Sequence, residues 1–442
     1  MKLPGTMNVK LKNKSMIRIA LLAVACIVSA TAYAEELPRT KAEKVGMSSA
    51  RLERLEQLNQ RYVDEGKLAG VMTMVARHGK IVHLHAAGSY GVDNDKPFAE
   101  DTLFRIYSMT KPITAVALMM LYEEGAFQLS DPVSKFLPQF ETMQVWKKDH
   151  YEDAQGPITM HQLLTHTAGL TYGVAGDNPV DQSYQEADVL GARDLDEFID
   201  KVAKIPLLFE PGERWHYSVA SDVLGAVAEE ISGQNYADFL KARIFDPLGM
   251  DDTFFYVPAD KLGRFPTNHL WNADEEKLEA FDNDAPLNNS YFGGKFYAGG
   301  MGLVSTIGDY MKFAEMLRNE GTLGKVRILG PKTVDYMTIN HLTATTEVAV
   351  SGEAPTIDLQ AAWRGIGFGL GFGIVTDPAK TGVLSSPGSY FWGGYAGTVF
   401  WIDPEEELVG IGMLQLINSP WPFRKEMMVA TYQAIEELNR GK

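Results

Sequence analysis

Cysteine and long apolar runs are what this sequence has least of. Cys26 is the only cysteine among 442 residues, so the rest of the chain can form neither disulfide bonds nor a thiol nucleophile. The apolar stretch at residues 19–28 is too short to span a bilayer. No Gly-x-Ser-x-Gly sequence occurs, which excludes the serine turn typical of α/β-hydrolases. With 45% hydrophobic residues, the chain is expected to fold around a large apolar core.

Basic residues are also in the minority. The chain has 41 lysines and arginines against 57 aspartates and glutamates, a formal net charge of −16. Five of the basic residues and none of the acidic ones lie in the first 34, so the remainder carries −21. A surface of this sign argues against nucleic acids and anionic membranes as binding partners.

The N-terminal segment has the pattern of a secretory signal peptide. Its five basic residues precede the apolar stretch, and Ala32-Tyr33-Ala34 follows as a small-x-small cleavage site. We therefore expect cleavage after Ala34, loss of Cys26 with the signal, and a periplasmic or secreted protein without stable membrane insertion. A lipid anchor on Cys26 is the alternative, although Ala23 stands where a lipobox usually has leucine.

The most informative motif is Ser-x-x-Lys at residues 108–111. Ser108 and Lys111 are three positions apart and so share one face of a helix, with the amine within reach of the hydroxyl. Residues 113–122 are apolar on nearly every side, which predicts a helix buried in the core. A hydroxyl at the N-terminus of such a helix lies where backbone N–H groups favour negative charge. Taken alone, this short motif also fits a structural serine followed by an exposed lysine.

Strand patterns lie at both ends of the chain, with helix patterns between them. The predicted strands are 71–77, 80–87, 367–376, 398–403 and 408–416, and helices are expected at 48–65 and 425–440. We predict an α+β fold in which an antiparallel sheet is flanked by helices. The sheet lobe would comprise about 35–107 and 325–442, and a mainly helical inserted lobe about 108–324.

Two other segments give weaker signals. His83 and His85 share a face of the second predicted strand, but no third ligand follows at a suitable spacing, so we predict no metal site. Residues 171–192 are polar and rich in turn formers, which predicts an irregular surface segment.

Several short motifs together resemble the serine β-lactamase/penicillin-binding-protein superfamily. The similarity is greatest to its class C β-lactamase-like group, which includes the family VIII carboxylesterases, and it extends over nearly all of the chain after the signal. The motifs that carry it are Ser108-Met109-Thr110-Lys111, Leu129-Ser130-Asp131-Pro132-Val133, Leu163-Leu164-Thr165-His166-Thr167-Ala168-Gly169-Leu170, Pro211-Gly212-Glu213-Arg214-Trp215-His216-Tyr217-Ser218, Gly299-Gly300-Met301-Gly302 and Phe400-Trp401-Ile402-Asp403-Pro404.

The resemblance implies a β-lactamase/transpeptidase-like fold and an acyl-enzyme mechanism without a metal or cofactor. Ser108 would be the nucleophile, and Lys111 and Tyr217 would share the proton transfers. Elementary chemistry agrees, because a serine hydroxyl is a weak nucleophile until a neighbouring base takes its proton.

The family's third motif, commonly Lys-Thr-Gly, lies on a strand beside the nucleophile. A literal Lys380-Thr381-Gly382 occurs, but turn-forming residues flank it on both sides and leave no room for a strand. We therefore assign the motif to Trp392-Gly393-Gly394, just before the Phe400 motif. The backbone N–H groups of Ser108 and Tyr395 would then form the oxyanion hole.

Two departures from the β-lactamase pattern bear on the substrate. Val219 stands where those enzymes usually have asparagine, and Trp392 stands where they have a lysine that faces a substrate carboxylate. With Gly393 and Gly394 these residues are expected to contact the substrate in a less polar cleft.

The sequence thus favours an exported serine hydrolase that acts on small-molecule esters of small or medium acyl groups, with weak β-lactam hydrolysis. A β-lactamase or D-Ala-type peptidase acting on amides is the alternative. A non-catalytic penicillin-recognising protein is a third reading, and the oligomeric state is not predicted.

Overall fold

The structure is a computed structural model and describes residues 36–174, 176, 178–281, 290–343, 347–348 and 364–439. The predicted signal peptide at 1–34 lies outside the described residues. Within the described ranges, no helix combines the length and the apolar character needed to cross a membrane.

The chain alternates between helices and strands along its length. The α-helices of the described residues are α1 (Ser49–Asp64), α2 (Thr110–Glu123), α3 (Met160–Leu164), α4 (Pro179–Glu186), α5 (Leu195–Val202), α6 (Ala220–Ser232), α7 (Tyr236–Leu240), α8 (Asp246–Leu248), α9 (Ile307–Arg318), α10 (Pro331–Met337), α11 (Pro378–Thr381) and α12 (Phe423–Tyr432). The strands are β1 (Gly70–Arg77), β2 (Lys80–Gly91), β3 (Asn94–Pro97), β4 (Phe104–Arg105), β5 (Gln144–Lys147), β6 (His150–Asp153), β7 (Arg214–Trp215), β8 (His269–Asn272), β9 (Lys277–Ala280), β10 (Val304–Ser305), β11 (Thr322–Leu323), β12 (Val326–Arg327), β13 (Glu347–Val348), β14 (Ile366–Phe368), β15 (Gly373–Val375), β16 (Tyr390–Gly393), β17 (Val399–Asp403), β18 (Leu408–Leu414) and β19 (Leu416–Ile417).

An antiparallel sheet of eight strands joins the two ends of the chain. Its order is β14-β15-β16-β17-β18-β1-β2-β3, so the first three strands of the chain lie in one sheet with β14–β18. The junction is the β1–β18 ladder, in which Met74 lies opposite Ile411. The predicted α+β fold with a sheet from both ends is confirmed, and the division into lobes at residues 108 and 324 stays a prediction.

Both faces of the sheet are covered, which explains why β1 is apolar at almost every position. Met74 points into the larger core cluster and Val75 into a second cluster on the opposite face. On the second face, Tyr62 of α1 meets Phe423 of α12 with ring centres 5.1 Å apart. On the face of Met74 and the larger cluster, Tyr310 of α9 meets Phe400 of β17 with ring centres also 5.1 Å apart.

Helix α2, which follows the predicted nucleophile, is almost completely buried. Every residue from Thr110 to Leu121 is buried, as the all-round apolar pattern predicts. Because water cannot reach most of this helix, the few polar groups on it need partners within the protein.

Two sequence-based assignments of secondary structure were wrong. Residues 367–376 form two strands, β14 and β15, rather than one, because the chain reverses at a glycine-rich turn. Gly371 in that turn has φ +89° and packs so closely on α2 that a side chain would meet Ala115. The segment 171–192 contains α4, whose first turn is capped by Asn178 accepting from the Asp181 amide. An Asn-Pro start signal was overlooked there.

The C-terminal helix is also shorter than predicted, since α12 ends at Tyr432. The chain then turns to run along the N-terminal segment, where Ser48 N–H donates to Ala434 O over 2.8 Å. Tertiary contacts with the start of α1 therefore replace the last helical turns.

The two histidines of β2 belong to a hydrogen-bonded cluster beside α1. His83 Nε2 lies 2.9 Å from Thr73 Oγ1, and His85 Nδ1 lies 3.2 Å from Asn59 Nδ2. In the described part of the chain, no three His, Cys, Asp or Glu side chains are grouped as a metal site requires. Burial, with a smaller effect of His85, lowers the pKa of His83 to about 4.

The low pKa of His83 predicts a loss of stability in mild acid. The unfolded chain, with an ordinary histidine pKa of 6.5, binds the proton more readily than the folded one as the pH falls from 6.5 to about 4. The free energy of unfolding should therefore drop by about 2 kcal/mol between pH 7 and pH 5 through this residue. In urea unfolding measurements, the free energy of unfolding of His83→Gln should fall by about 2 kcal/mol less than that of wild type between pH 7 and pH 5. An identical pH dependence in both proteins would show that His83 is not the buried neutral group.

Candidate active site

Ser108 lies at the entry to the buried helix α2. It occupies a single 3₁₀ turn, Tyr107–Met109, that continues directly into α2. Its neighbours on both sides are buried, whereas Ser108 itself keeps partial exposure. The hydroxyl is thus at the surface of an otherwise closed region, at the N-terminal end of a helix.

The backbone before the nucleophile is strained. Tyr107 has φ +43°, a left-handed conformation that costs a bulky residue roughly 1–3 kcal/mol. Asn268 Nδ2 donates to the Tyr107 hydroxyl over 2.7 Å, and the rings of Tyr291 and Tyr395 pack edge-on against it. These contacts hold the turn that presents Ser108.

The Lys111 amine is held by three oxygen atoms from separate segments. Its Nζ lies 3.3 Å from Ser108 Oγ, 2.8 Å from the Tyr172 hydroxyl and 2.7 Å from the Gly300 carbonyl oxygen. The lysine side chain is buried, so these contacts replace water. The structure brings the two residues of the Ser-x-x-Lys motif together as the helical spacing predicts.

Tyr172 and Asp222 are site residues that the sequence analysis missed. Asp222 lies in the first turn of α6, fully buried, and its Oδ1 accepts from the Gly300 amide over 2.8 Å. Burial raises the pKa of Asp222 to about 6, against the opposing charge of Lys111. Burial and the nearby Asp222 carboxyl raise the pKa of Tyr172 well above its ordinary value. The signal that could have identified Asp222 is a single acidic residue in the stretch 219–228, where Ser221 is the only other polar side chain.

Tyr217 lies beside Lys111 without a hydrogen bond to it. The lysine Nζ is 4.5 Å from the centre of the Tyr217 ring, and within the described residues the phenol oxygen is buried with no hydrogen-bond partner. The ring contacts Tyr172 and Trp392, with centres 5.4 and 5.5 Å away. The structure thus places Tyr217 in the site, and its hydroxyl has no hydrogen-bond partner among the described residues.

The strand β16 brings Trp392 and the turn after it to the nucleophile. Trp392 also packs on Phe368, with ring centres 5.3 Å apart. A side chain on Gly394 would collide with the carbonyl oxygen of Ile106, so glycine is required for this approach. Tyr395 follows in the turn, and its ring packs on Tyr107 at 5.8 Å.

The literal Lys380-Thr381-Gly382 sequence lies elsewhere in the fold. It forms the short helix α11 and ends at Gly382, whose φ is +69°. The Lys380 side chain is 67% exposed and pairs with Asp377 over 3.0 Å. This lysine therefore belongs to a solvated turn.

Val219, a predicted substrate contact, lies deeper than Trp392 and Gly393, which are also predicted to contact the substrate. It is fully buried at the start of α6, where a substrate atom could reach it only by displacing its neighbours. The absence of an asparagine amide at this position still removes a polar group from behind the site. Its direct contact with the substrate stays a prediction.

Comparison with known proteins gives the family of the chain. The Beta-lactamase family profile matches residues 55–431. The chain belongs to that family. An uncharacterized protein of Mycobacterium tuberculosis is 35% identical over 365 residues, which cover 80% of this chain and 87% of the relative. Esterase EstB of Burkholderia gladioli is 31% identical over 388 residues, covering 83% and 90% respectively.

A solved structure of another hydrolase has the same fold. EstCE1, described as a hydrolase with promiscuous acyltransferase activity, superposes with a TM-score of 0.71 at 25% identity. The superposition covers 88% of this chain and 99% of that protein. Family, fold and site together identify the chain as a serine hydrolase.

The two candidate third motifs predict different effects of mutation. Trp392→Ala should change kcat/KM for neutral esters tenfold or more, about 1.4 kcal/mol for loss of an apolar contact. Lys380→Ala should change it less than about threefold, as a surface substitution does. Trp392→Lys should shift preference toward carboxylate-bearing substrates.

These variants are compared by steady-state kinetics, with melting temperature as the check on folding. A damaging Lys380→Ala together with a silent Trp392→Ala would show that the third motif is assigned to the wrong segment.

Proposed function

We propose that the protein hydrolyses carboxylic esters of small or medium acyl groups through an acyl-enzyme on Ser108, with β-lactam hydrolysis as a weak activity. The observation that carries this proposal is the 3.3 Å separation of Lys111 Nζ and Ser108 Oγ at the entry to α2. A buried amine at that distance can take the hydroxyl proton as the oxygen attacks.

The first half of the reaction transfers the acyl group to the enzyme. Ser108 Oγ bonds to the ester carbonyl carbon while its proton passes to Lys111 Nζ. The negative carbonyl oxygen accepts hydrogen bonds from the Ser108 and Tyr395 amides, each such donor contributing about 3–4 kcal/mol. When the ester C–O bond breaks, Tyr217 gives its phenolic proton to the departing alcohol and regains one from Lys111. The uncommitted Tyr217 hydroxyl beside the lysine supports this role.

The second half releases the acid. A water molecule attacks the acyl carbonyl and passes a proton to Lys111, and the bond between the acyl group and Ser108 Oγ breaks. Lys111 then returns that proton to the serine. The carboxylic acid leaves, and the enzyme is back in its starting state without any redox step.

The residues around the site support a neutral substrate. Trp392 occupies the position where β-lactamases have lysine, and its largely buried ring packs with Phe368 and Tyr217 in an aromatic cluster. We expect the substrate to contact the backbone of Gly393 and Gly394; the side on which each would carry a side chain is filled by Arg424 and by Ile106, respectively. The relative named as an esterase and the neighbour described as a hydrolase with promiscuous acyltransferase activity support an ester as the substrate.

Export of the mature protein is part of this proposal. The basic residues, apolar stretch and Ala32-Tyr33-Ala34 site at the N-terminus support a periplasmic or secreted enzyme cleaved after Ala34. Small esters that reach this compartment would be its substrates.

A substrate panel tests the proposed function. Purified protein is assayed with p-nitrophenyl esters of increasing acyl length, a chromogenic cephalosporin and a D-Ala-D-Ala peptide, with Ser108→Ala as the control. We expect the highest kcat/KM on a short or medium ester, a value at least about a hundredfold lower on the cephalosporin, and no turnover by the control. Preference for the cephalosporin or the peptide would establish the alternative, a β-lactamase or peptidase, and turnover of none would indicate a non-catalytic protein.

A further inference from the structure

The hydrogen bonds around Lys111 are unequal in a way that bears on its function as a base. The amine lies 2.8 Å from the Tyr172 hydroxyl and 2.7 Å from the Gly300 carbonyl oxygen, but 3.3 Å from Ser108 Oγ. A neutral amine has two N–H donors and one lone pair. If the two short contacts use the two donors, the lone pair is left for Ser108.

This arrangement depends on which way the hydrogen bond between Tyr172 and Lys111 runs. A carbonyl oxygen such as that of Gly300 can only accept. A phenol can either accept or donate, and a phenol that donated to the amine would occupy the lone pair that Ser108 needs. Some other group must therefore accept the hydrogen bond that the Tyr172 O–H donates.

Asp222 is placed to accept it. A side chain on Gly300 would collide with Asp222 Oδ2 and would lie 2.9 Å from the Tyr172 hydroxyl, so both oxygen atoms face the space that this glycine leaves open. Asp222 Oδ1 is occupied by the Gly300 amide, whereas the buried Oδ2 is left to face the Tyr172 side chain, which is within hydrogen-bonding reach of the carboxylate. A buried carboxylate oxygen without a donor strongly favours a nearby hydroxyl that points at it.

We propose that Tyr172 and Asp222 are positioning residues that orient the Lys111 lone pair toward Ser108. The Tyr172 O–H donates a hydrogen bond to Asp222, and the phenol oxygen then accepts one from Lys111. The amine is left with its lone pair directed at the nucleophile. Gly300 contacts both Lys111 and Asp222. Its carbonyl oxygen accepts a hydrogen bond from the second lysine N–H, and its amide donates one to the carboxylate. This proposal rests on the proposed function and adds two residues to it, while Tyr217 keeps its role at the leaving group.

The proposal also predicts a pH effect. The groups that face Asp222 are Lys111 from α2, Tyr172 from the loop before α4 and Tyr236 from α7. Protonation of Asp222, whose pKa is about 6, removes the acceptor for the Tyr172 proton and so lowers the rate of acylation in acid. The acid limb of the rate profile should therefore lose this component when Asp222 is replaced by a residue that does not titrate.

The test measures the rate of acylation directly. The second-order rate constant for labelling Ser108 with a fluorophosphonate is determined from pH 5 to pH 9 for wild type, Tyr172→Phe, Asp222→Asn and a matched control, Tyr184→Phe. Tyr184 is likewise a buried tyrosine, on α4. Melting temperatures and KM for a p-nitrophenyl ester are measured in parallel.

Tyr172→Phe should label at least tenfold more slowly than wild type, with KM changed less than threefold, and Tyr184→Phe should match wild type. Asp222→Asn should label still more slowly, because its amide would donate to Tyr172 and reverse the hydrogen bond between Tyr172 and Lys111. Its labelling rate should also lose the decrease near pH 6 that wild type shows. Tyr172→Phe labelling within threefold of wild type would overturn the proposal, as would a loss borne entirely by KM or by the melting temperature. Wild type that neither labels nor turns over esters would instead contradict the proposed function.

Discussion

The structure depends most on the buried amine of Lys111 and the three oxygen atoms that hold it. Ser108 comes from the turn before α2, Tyr172 from a loop in the helical middle, and Gly300 from the segment before β10. A lysine buried in an apolar helix is stable only if its donors are satisfied, so these segments must meet at one point for the fold to form. The requirement for satisfied hydrogen bonds thus also assembles the candidate catalytic group.

Glycine and backbone strain bring the surrounding parts into place. Gly394 lets the turn after β16 pack against Ile106, and Gly300 leaves room for Asp222 and Tyr172. The left-handed backbone of Tyr107 is unfavourable by itself, and the hydrogen bond from Asn268 and the packing of neighbouring rings offset that cost. These packed contacts fix the backbone around the candidate site, which suits a mechanism that relies on fixed backbone donors.

The sequence revealed the parts of the site that are local. Ser108 and Lys111 could be found because helical geometry alone brings residues three apart together, and Lys380 could be set aside because turn formers surround it. Tyr172 and Asp222 escaped notice because they join Lys111 only through tertiary packing, across 61 residues in the case of Tyr172. The reversal at Gly371 and the burial of Val219 likewise depend on contacts with α2 and the core, which no periodicity encodes.

Covalent trapping of the intermediate tests the central claim most directly. Wild-type protein is mixed with an ester whose acyl group hydrolyses slowly, quenched in acid and digested, and the peptides are mapped by mass spectrometry. We expect the acyl mass on the peptide that contains Ser108, and no adduct when Lys111→Ala is treated for the same time. An adduct on a different serine, or full turnover by a protein that lacks Ser108, would contradict the account.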